Sequence, residues 1–230
     1  MNDLSDLSFA LDIYGTVVDP LRMSERLREL AGERADEMSA LWRQKQLEYT
    51  FRRGLMDAYK DFDSVTSEAL LFAAASCGLA LDERDRESLL VAYGELPAYA
   101  DVVPGIEALK EVGATVVAFS NGVEKTTRDL LGRAGVLNHL HDVVSVDDVG
   151  TFKPAPAVYR HLVRKLGTEK ERVWLVSGNS FDVIGAKAFG LRTAWLRRNP
   201  EAVFDPWGLH PDATAPDLRK LAAELTGTGQ

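Results

Sequence analysis

Short apolar runs alternate with amphipathic helical segments along much of the chain, and this alternation predicts its architecture. The apolar run at 9–11 is typical of a buried strand, and from Val102 to Arg197 strands and helices follow one another in series. Such a series implies a parallel sheet with right-handed crossovers. We therefore predict an α/β fold with a doubly wound, mainly parallel, Rossmann-like sheet. The predicted strands cover 9–11, 115–122, 143–148, 173–180 and 192–197, and the predicted helices cover 105–113, 123–135 and 181–190, with another directly after 153–159.

Residues 22–99 have a different character, because they show helical periodicity and frequent charges but no convincing strand. We predict helices over 23–30, 35–51, 65–77 and 82–95. These residues are predicted to form an all-helical cap domain, 20–99, inserted into a core domain made of 1–19 and 100–230. The proline-rich tail should close the edge of the sheet, with a last helix near 217–225.

Composition and charge argue against several classes of protein. A net charge of −8 and no basic patch argue against nucleic-acid binding. No apolar run approaches the ~20 residues of a membrane span, and the N-terminus does not resemble a signal peptide. Cys77 is the single cysteine, so no internal disulfide forms and a cytoplasmic location is expected. An anionic substrate would need a locally cationic site in spite of the global charge.

Polar side chains follow four of the predicted strands. Each has an ordinary structural explanation, such as a helix cap, a turn or a solvated loop. Four strand ends that converge on one rim nevertheless indicate a ligand site, because open α/β sheets bind ligands outside the carboxyl ends of their strands. The residues are Asp12, Ser120, Asn121, Lys153, Ser177, Asn179 and Asp182.

These residues also carry a family resemblance. The segments DIYGTVVD, SNG, KPAPAVY and SGNSFD, in this order, resemble the four motifs of the haloacid dehalogenase superfamily, and the resemblance covers the whole chain. Most members are Mg²⁺-dependent phosphohydrolases with an acid two places after the nucleophile and two acids in the fourth motif. The first place is occupied by Tyr14 and one of the others by Gly178. The chain is therefore more similar to the L-2-haloacid dehalogenases, which need no metal or other cofactor.

The cap supports the same branch of the superfamily. Residues 42–49, WRQKQLEY, resemble its cap helix with an arginine, and residues 59–62, YKDF, resemble its aromatic pocket segment. Without the resemblance, Arg43 would be read as a solvated helix arginine, and each aromatic residue as core packing. The resemblance implies a homodimer, which nothing in the composition tests.

The resemblance, together with charge arguments, assigns roles to individual residues. Asp12 is the expected nucleophile, Lys153 neutralises it, and Asp182, oriented by Ser177 and Asn179, is the expected base for water. Ser120 binds the substrate carboxylate, and Arg43 and Asn121 hold the departing halide. Thr16, otherwise a turn threonine, bonds the nucleophile, and Tyr159, otherwise a core aromatic, orients the lysine and the carboxylate. The apolar pocket is assigned to Tyr14, Leu47, Phe62 and Phe181.

The predicted reaction is hydrolytic, metal-independent dehalogenation of short L-2-haloalkanoic acids through an ester on Asp12, with a small anionic 2-halocarboxylate and water as reactants. Two alternatives remain open at this stage. One is a Mg²⁺-dependent phosphohydrolase of the same superfamily, against which Tyr14 and Gly178 argue. The other is a catalytically silent module that binds a small anion, against which the intact set of Asp12, Lys153 and Asp182 argues.

Overall fold

A six-stranded sheet forms the centre of the protein, whose computed structural model describes residues 4–227. All neighbouring strands are parallel, and the first strand lies between the second and the fourth. This order confirms the predicted doubly wound α/β fold, because the chain builds the sheet outward on both sides of its first strand. In chain order the strands are β1 (Ser8–Leu11), β2 (Thr115–Ser120), β3 (Asp142–Ser145), β4 (Val173–Ser177), β5 (Arg192–Leu196) and β6 (Ala213–Ala215), and the sheet order is β3-β2-β1-β4-β5-β6.

Helices cover both faces of the sheet and account for its apolar strands. The central strands β1 and β4 are buried along their whole length, as strands with both faces covered must be. The helices are α1 (Met23–Ala31), α2 (Ala35–Leu55), α3 (Phe62–Ser76), α4 (Glu83–Tyr93), α5 (Val102–Glu111), α6 (Glu124–Arg133), α7 (Pro156–Leu166), α8 (Ser180–Phe189) and α9 (Leu218–Thr226). In the described residues, no helix is long and apolar enough to cross a membrane.

The four helices α1 to α4 lie between β1 and β2, and no strand interrupts them. The two ends of this segment run side by side, since Val18 forms an antiparallel bridge with Ala98 and the Tyr99 amide donates to the Val17 carbonyl at 2.9 Å. An inserted cap requires such adjacent ends. The division into a core of 1–19 and 100–230 and a cap of 20–99 stays a prediction.

Two helix boundaries in this segment differ from the predicted ones by three or more residues. Helix α2 continues to Leu55, one turn beyond the predicted end, and α3 begins at Phe62, three residues early. The early start has a clear cause, because the Asp61 side chain accepts a hydrogen bond from the Ser64 amide at 2.7 Å and so caps the helix. As a result, Phe62 lies in the first turn of α3 and is buried.

The tail closes the edge of the sheet, as predicted, but it does so through a strand that the sequence pattern missed. Strand β6 is three residues long and pairs in parallel with β5. Its sequence Ala-Thr-Ala lies among prolines and is too short to show alternation. The last helix, α9, instead packs on α5, where Gly105 leaves room for it: a Cβ at Gly105 would lie 2.6 Å from Leu218 Cγ.

We expect Gly105→Ala to destabilise the fold by about 1–3 kcal/mol, because the added methyl overlaps α9 and forces the helices apart. Gly132→Ala is the matched control, since Gly132 is also helical and its nearest neighbour, Leu137 Cδ2, would lie 3.9 Å from the new Cβ. The control should change stability by about 1 kcal/mol or less, in the stabilising direction. Urea unfolding of both variants measures this, and equal midpoints would contradict the close-packing explanation.

Candidate active site

The sheet brings the predicted polar residues to one rim. Leu11 pairs with Ala118 on one side and Val176 on the other, so the residue after β1 lies beside the carboxyl ends of β2 and β4. Asp12 directly follows β1, and its amide donates to the Val176 carbonyl at 3.0 Å. The convergence inferred from the strand ends is therefore present in the structure.

The Asp12 carboxylate is held differently at its two oxygens. Oδ2 accepts hydrogen bonds from three side chains: Thr16 at 2.7 Å, Asn179 at 2.7 Å and Ser177 at 3.1 Å. Oδ1 accepts only from Lys153 Nζ, at 3.1 Å, among the described residues. A carboxylate oxygen offers about two lone-pair directions. Oδ2 is thus saturated, whereas Oδ1 keeps a direction open for reaction.

Lys153 is a buried cation placed between two carboxylates. Its Nζ lies 3.1 Å from Asp12 and 2.9 Å from Asp182, and it also donates to the Phe119 carbonyl at 2.8 Å. The lysine side chain is only 1% exposed. Asn121 fixes its backbone, since the Lys153 amide donates to Asn121 Oδ1 at 3.0 Å. Three acceptors match the three ammonium hydrogens, so this buried charge is fully satisfied.

The two carboxylates have opposite pKa shifts. Burial tends to raise the pKa of Asp12, but the positive charge of Lys153 and the hydrogen bond from Thr16 lower it below its ordinary value. Burial raises the pKa of Asp182, the Asp12 charge adds to this, and Lys153 offsets only part of it. Carboxylates whose pKa values are pushed apart are suited to different roles. Asp12 stays ionised, whereas Asp182 is the better proton acceptor.

Asp182 is held by Tyr159 and Lys153, and not by Ser177 and Asn179. It is completely buried, and the Tyr159 hydroxyl donates to its Oδ1 at 2.8 Å while Lys153 occupies Oδ2. The expectation that Ser177 and Asn179 orient Asp182 is wrong, because both side chains donate to Asp12. They lie in and just after β4, which adjoins β1, whereas Asp182 lies in the first turn of α8.

Arg43 reaches the rim from α2, although sequence alone would leave it in solvent. Its Nη2 donates to the Tyr14 carbonyl at 3.0 Å and lies 3.4 Å from Asn179 Oδ1. Its Nη1 donates to Gln46 Oε1 at 2.7 Å, and Gln46 also accepts from the buried Tyr93 hydroxyl at 3.0 Å. Gln46 and Tyr93 were not identified from the sequence; the only signal was the i, i+3 spacing of Gln46 from Arg43.

Ser120 ends β2, and Asn121 directly follows it, shortly before α6 begins. Ser120 Oγ accepts a hydrogen bond from the Gly122 amide at 2.9 Å and is buried. The Asn121 side-chain oxygen accepts a hydrogen bond from the Lys153 amide. Among the described residues, its Nδ2 group donates to no protein acceptor. Both residues therefore present N–H or O–H groups at the positively polarised end of a helix.

Two of the four predicted apolar pocket residues pack against each other, and the other two line different cavities. Tyr14 and Phe62 pack together with ring centroids 5.3 Å apart. Leu47 lines a crevice of about 270 Å³ beside Arg43, whereas Phe181 contacts Phe51 edge-on and lines a separate groove of about 620 Å³. Tyr14 and Phe62 are thus part of a buried aromatic cluster that also contains Tyr93.

Gly178 has a steric reason to be glycine. A Cβ there would lie 2.2 Å from the Gly15 carbonyl oxygen, so the backbone leaves no room for a carboxylate side chain. The Gly178 amide instead donates to Thr16 Oγ1 at 2.8 Å, which orients the Thr16 hydroxyl towards Asp12. Within residues 4–227, no group of three or more histidine, cysteine, aspartate or glutamate residues could hold a metal ion.

Arg198 supports the loop that follows β1 and was not identified from the sequence. Its Nε and Nη2 donate to the Thr16 carbonyl at 2.9 and 2.6 Å, and it pairs bidentately with Asp101. The guanidinium also lies over the Tyr99 ring, 3.9 Å from its centroid. Because Thr16 and Asp101 are far from Arg198 in sequence, no local pattern could reveal this cluster.

Known proteins resemble the chain in sequence and structure. A family model described as haloacid dehalogenase-like hydrolase matches residues 8–190. An (S)-2-haloacid dehalogenase of Pseudomonas sp. (strain YL) is 37% identical over 92% of this chain and 91% of its own length. (S)-2-haloacid dehalogenase 1 of Pseudomonas sp. (strain CBS-3) is 40% identical over 94% and 96%. The L-2-haloacid dehalogenase of Xanthobacter autotrophicus with chloropropionic acid covalently bound superposes with a TM-score of 0.88 at 30% identity, covering 96% of this chain and 98% of that one.

Tyr159→Phe should move the acidic limb of the pH–rate profile to higher pH. The Tyr159 hydroxyl favours the charged form of Asp182, so its loss raises the Asp182 pKa, and the base is protonated over a wider acidic range. At pH values below the limb, turnover should fall by about tenfold relative to the unmodified protein, and recover towards alkaline pH.

Tyr49→Phe is the matched control, because Tyr49 packs edge-on against Phe72, outside the rim. Steady-state rates between pH 5 and pH 9 measure both profiles. An unshifted limb in Tyr159→Phe would mean that Asp182 is not the titrating base.

Proposed function

The chain belongs to the haloacid dehalogenase-like hydrolases, and we propose that it hydrolyses the carbon–halogen bond of short L-2-haloalkanoic acids to give D-2-hydroxy acids. The observation that carries the proposal is the Asp12 carboxylate, with Oδ2 held by three donors, Oδ1 open, and Lys153 as counter-ion. A relative of the same fold carries chloropropionic acid covalently bound. The protein is therefore a hydrolase acting on carbon–halide bonds.

In the first step, Asp12 Oδ1 attacks C2 of the substrate from the side opposite the halogen. The new O–C2 bond forms as the carbon–halogen bond breaks, the halide leaves with the bonding pair, and C2 inverts. The nucleophile needs no proton transfer, because Lys153 keeps Asp12 ionised. Holding nucleophile and carbon in line supplies an advantage of up to roughly 7–11 kcal/mol.

The departing halide is negative and needs donors that the substrate does not already occupy. Arg43 places a guanidinium at the loop after β1, and the Asn121 amide group faces the rim without a protein acceptor in the described residues. We assign these two residues to the halide. Ser120, beside the amides that open α6, is assigned to the substrate carboxylate.

In the second step, water attacks the carboxyl carbon of the Asp12 ester. Oδ2, now the carbonyl oxygen, becomes negative in the tetrahedral intermediate, and its three donors from Thr16, Ser177 and Asn179 are already in place to stabilise it. Asp182 accepts the proton of the attacking water. Collapse of the intermediate breaks the bond between the carboxyl carbon and Oδ1, and the leaving alkoxide takes the proton that Asp182 accepted and becomes the hydroxyl group. The second proton of the water leaves Asp12 for solvent, which returns Asp12 to the carboxylate.

The remaining parts of the proposal concern compartment and assembly. We place the protein in the cytoplasm, where its one cysteine, Cys77, stays free. The net charge of −8 argues against nucleic-acid partners. A homodimer is proposed from the family resemblance alone, and its mass in solution would test it.

The proposal predicts halide release from L-2-chloropropionate that EDTA does not diminish, with little release from the D isomer. Asp12→Asn should slow release by at least about a thousandfold, because the amide cannot attack C2. The test measures chloride release from each isomer. In parallel, it measures the cleavage of a generic phosphate ester in the presence of Mg²⁺. Phosphate ester cleavage that needs Mg²⁺, with no halide from either isomer, would contradict the proposal.

Arg43→Ala should lower kcat for halide release by about a hundredfold or more, because it removes a charged donor that acts on the developing halide. Arg43→Lys should restore only part of the rate, since an ammonium cannot reproduce the guanidinium contacts to Tyr14 and Asn179. Arg52→Ala is the control on the same helix, because Arg52 is exposed and its salt bridge within residues 4–227 is to Glu48. Equal rates for the Arg43→Ala and Arg52→Ala variants would contradict the assignment of Arg43 to the departing halide.

A further inference from the structure

A buried glutamine holds the guanidinium group of Arg43. Gln46 follows Arg43 by about one turn in α2 and is completely buried. Its Oε1 accepts hydrogen bonds from Arg43 Nη1 at 2.7 Å and from the Tyr93 hydroxyl at 3.0 Å. Both lone pairs of this oxygen are therefore used. Because one donor comes from α2 and the other from α4, the oxygen is fixed between two helices.

The nitrogen end of the Gln46 amide is fixed as well. Its Nε2 donates to Thr66 Oγ1 at 2.6 Å, and that hydroxyl donates in turn to the Phe62 carbonyl at 2.7 Å. The Thr66 hydrogen is thus occupied, so Thr66 accepts from the amide, whereas Arg43 can only donate to it. Both ends require the same orientation of the amide, with its oxygen towards Arg43. The amide cannot turn over without losing these bonds.

The hydrogen-bond acceptors of the Arg43 guanidinium carry no charge. Within residues 4–227 the guanidinium forms no salt bridge, and its acceptors are Gln46 Oε1, the Tyr14 carbonyl and Asn179 Oδ1. Arg53, on the same helix, pairs instead with the Glu68 carboxylate at 2.6 Å. A carboxylate in contact with a guanidinium offsets its charge and takes up its donors. The charge of Arg43 thus stays available to an anion in the site.

An uncharged acceptor matters because negative charge moves during the proposed first step. At the start the charge lies on Asp12, whose pKa Arg43 helps to lower after Lys153 and Thr16. When the ester forms, Asp12 becomes neutral and the charge passes to the halide. A guanidinium already offset by a carboxylate would attract the halide less. A guanidinium without a fixed direction would have to be oriented at the moment of reaction.

We propose that Gln46 is a positioning residue, which holds the Arg43 guanidinium on the departing halide through an uncharged acceptor. The guanidinium then keeps both its direction and its net positive charge. This inference rests on the proposed function, in which Arg43 receives the halide. Tyr93 and Thr66 act through Gln46, because each fixes one end of its amide.

Gln46→Glu tests the role of charge, because it keeps the size and shape of the side chain and replaces the neutral acceptor by a carboxylate. The guanidinium beside it keeps this carboxylate ionised. With L-2-chloropropionate we expect kcat to fall about tenfold or more, since the offset guanidinium attracts the developing halide less. Gln44→Glu is the matched control, because it adds the same charge at an exposed position of α2, where solvent screens it. The control should change kcat by less than about twofold.

Gln46→Met tests the role of direction, because it removes the acceptor and adds no charge. We expect kcat to fall about three- to tenfold. In both Gln46 variants, kcat for L-2-bromopropionate divided by kcat for L-2-chloropropionate should rise about threefold, because a weakly assisted reaction depends more on the leaving group itself. A variant that only loosens the fold would slow both substrates equally and leave this ratio unchanged.

Dependence on Arg43 separates positioning from simple structural support. In an Arg43→Ala background, Gln46→Glu should lower kcat by no more than about twofold, because the group that it acts on is gone. An equal loss in both backgrounds would overturn the inference, and so would a Gln46→Glu variant as active as Gln44→Glu. Urea unfolding shows which variants fold. If neither Gln46 variant folds, Tyr93→Phe decides, because it removes only the second donor to Gln46 Oε1. An unchanged ratio of bromide to chloride rates in that variant would then overturn the inference.

Binding of chloride, the product ion, keeps this test independent of turnover. Its Kd, measured from the NMR line width of chloride during a titration, should rise about tenfold in Gln46→Glu and less than twofold in Gln44→Glu. If no halide is released from the haloacids but this difference in Kd holds, the proposed function fails and the role of Gln46 stands. If halide is released and neither kcat nor Kd responds to Gln46→Glu, the role of Gln46 fails alone.

Discussion

The site depends on one buried lysine shared by two carboxylates. Asp12 and Asp182 both lie in the protein interior, and two unpaired buried carboxylates would take up protons rather than stay charged. Lys153, at 3.1 and 2.9 Å from them, prevents this for Asp12 and leaves Asp182 as the proton acceptor. Its own pKa is lowered by burial, but the two aspartates more than offset this, so the ammonium stays charged. One cation therefore acts on the pKa values of both the proposed nucleophile and the proposed base.

The sheet makes this arrangement rigid. Asp12 and Ser177 lie side by side at the ends of the neighbouring strands β1 and β4. Lys153 lies in the loop after β3, where a hydrogen bond to Asn121 fixes its backbone. Arg198 adds a second support, because it ties the carbonyl of Thr16 to Asp101 at the start of α5. Arg43 comes from helix α2, which is not part of the sheet. The proposed nucleophile and base thus rest on the sheet, and α2 brings the proposed halide donor.

The sequence predicted the charged residues of the site better than it predicted the residues that hold them in place. Asp12, Lys153 and Asp182 were recognisable because they follow short apolar strands at fixed places in the motifs. Ser177 and Asn179 were predicted to contact Asp182, but they donate to Asp12. The sequence could not decide between these two carboxylates, because the answer depends on the register of the sheet. Arg198 gave no signal at all, because its contacts cross 97 and 182 positions of chain. Strand β6 was too short for any periodic pattern.

The most direct test of the account is one turnover in H₂¹⁸O with protein in excess over L-2-chloropropionate. If Asp12 forms the ester and water attacks its carboxyl carbon, mass spectrometry should find one ¹⁸O in the peptide that contains Asp12. The hydroxy acid should then carry no label, because its hydroxyl oxygen comes from Asp12 Oδ1. Label in the product with none in the peptide would mean that water attacks C2 directly, and would contradict the role of Asp12 as nucleophile.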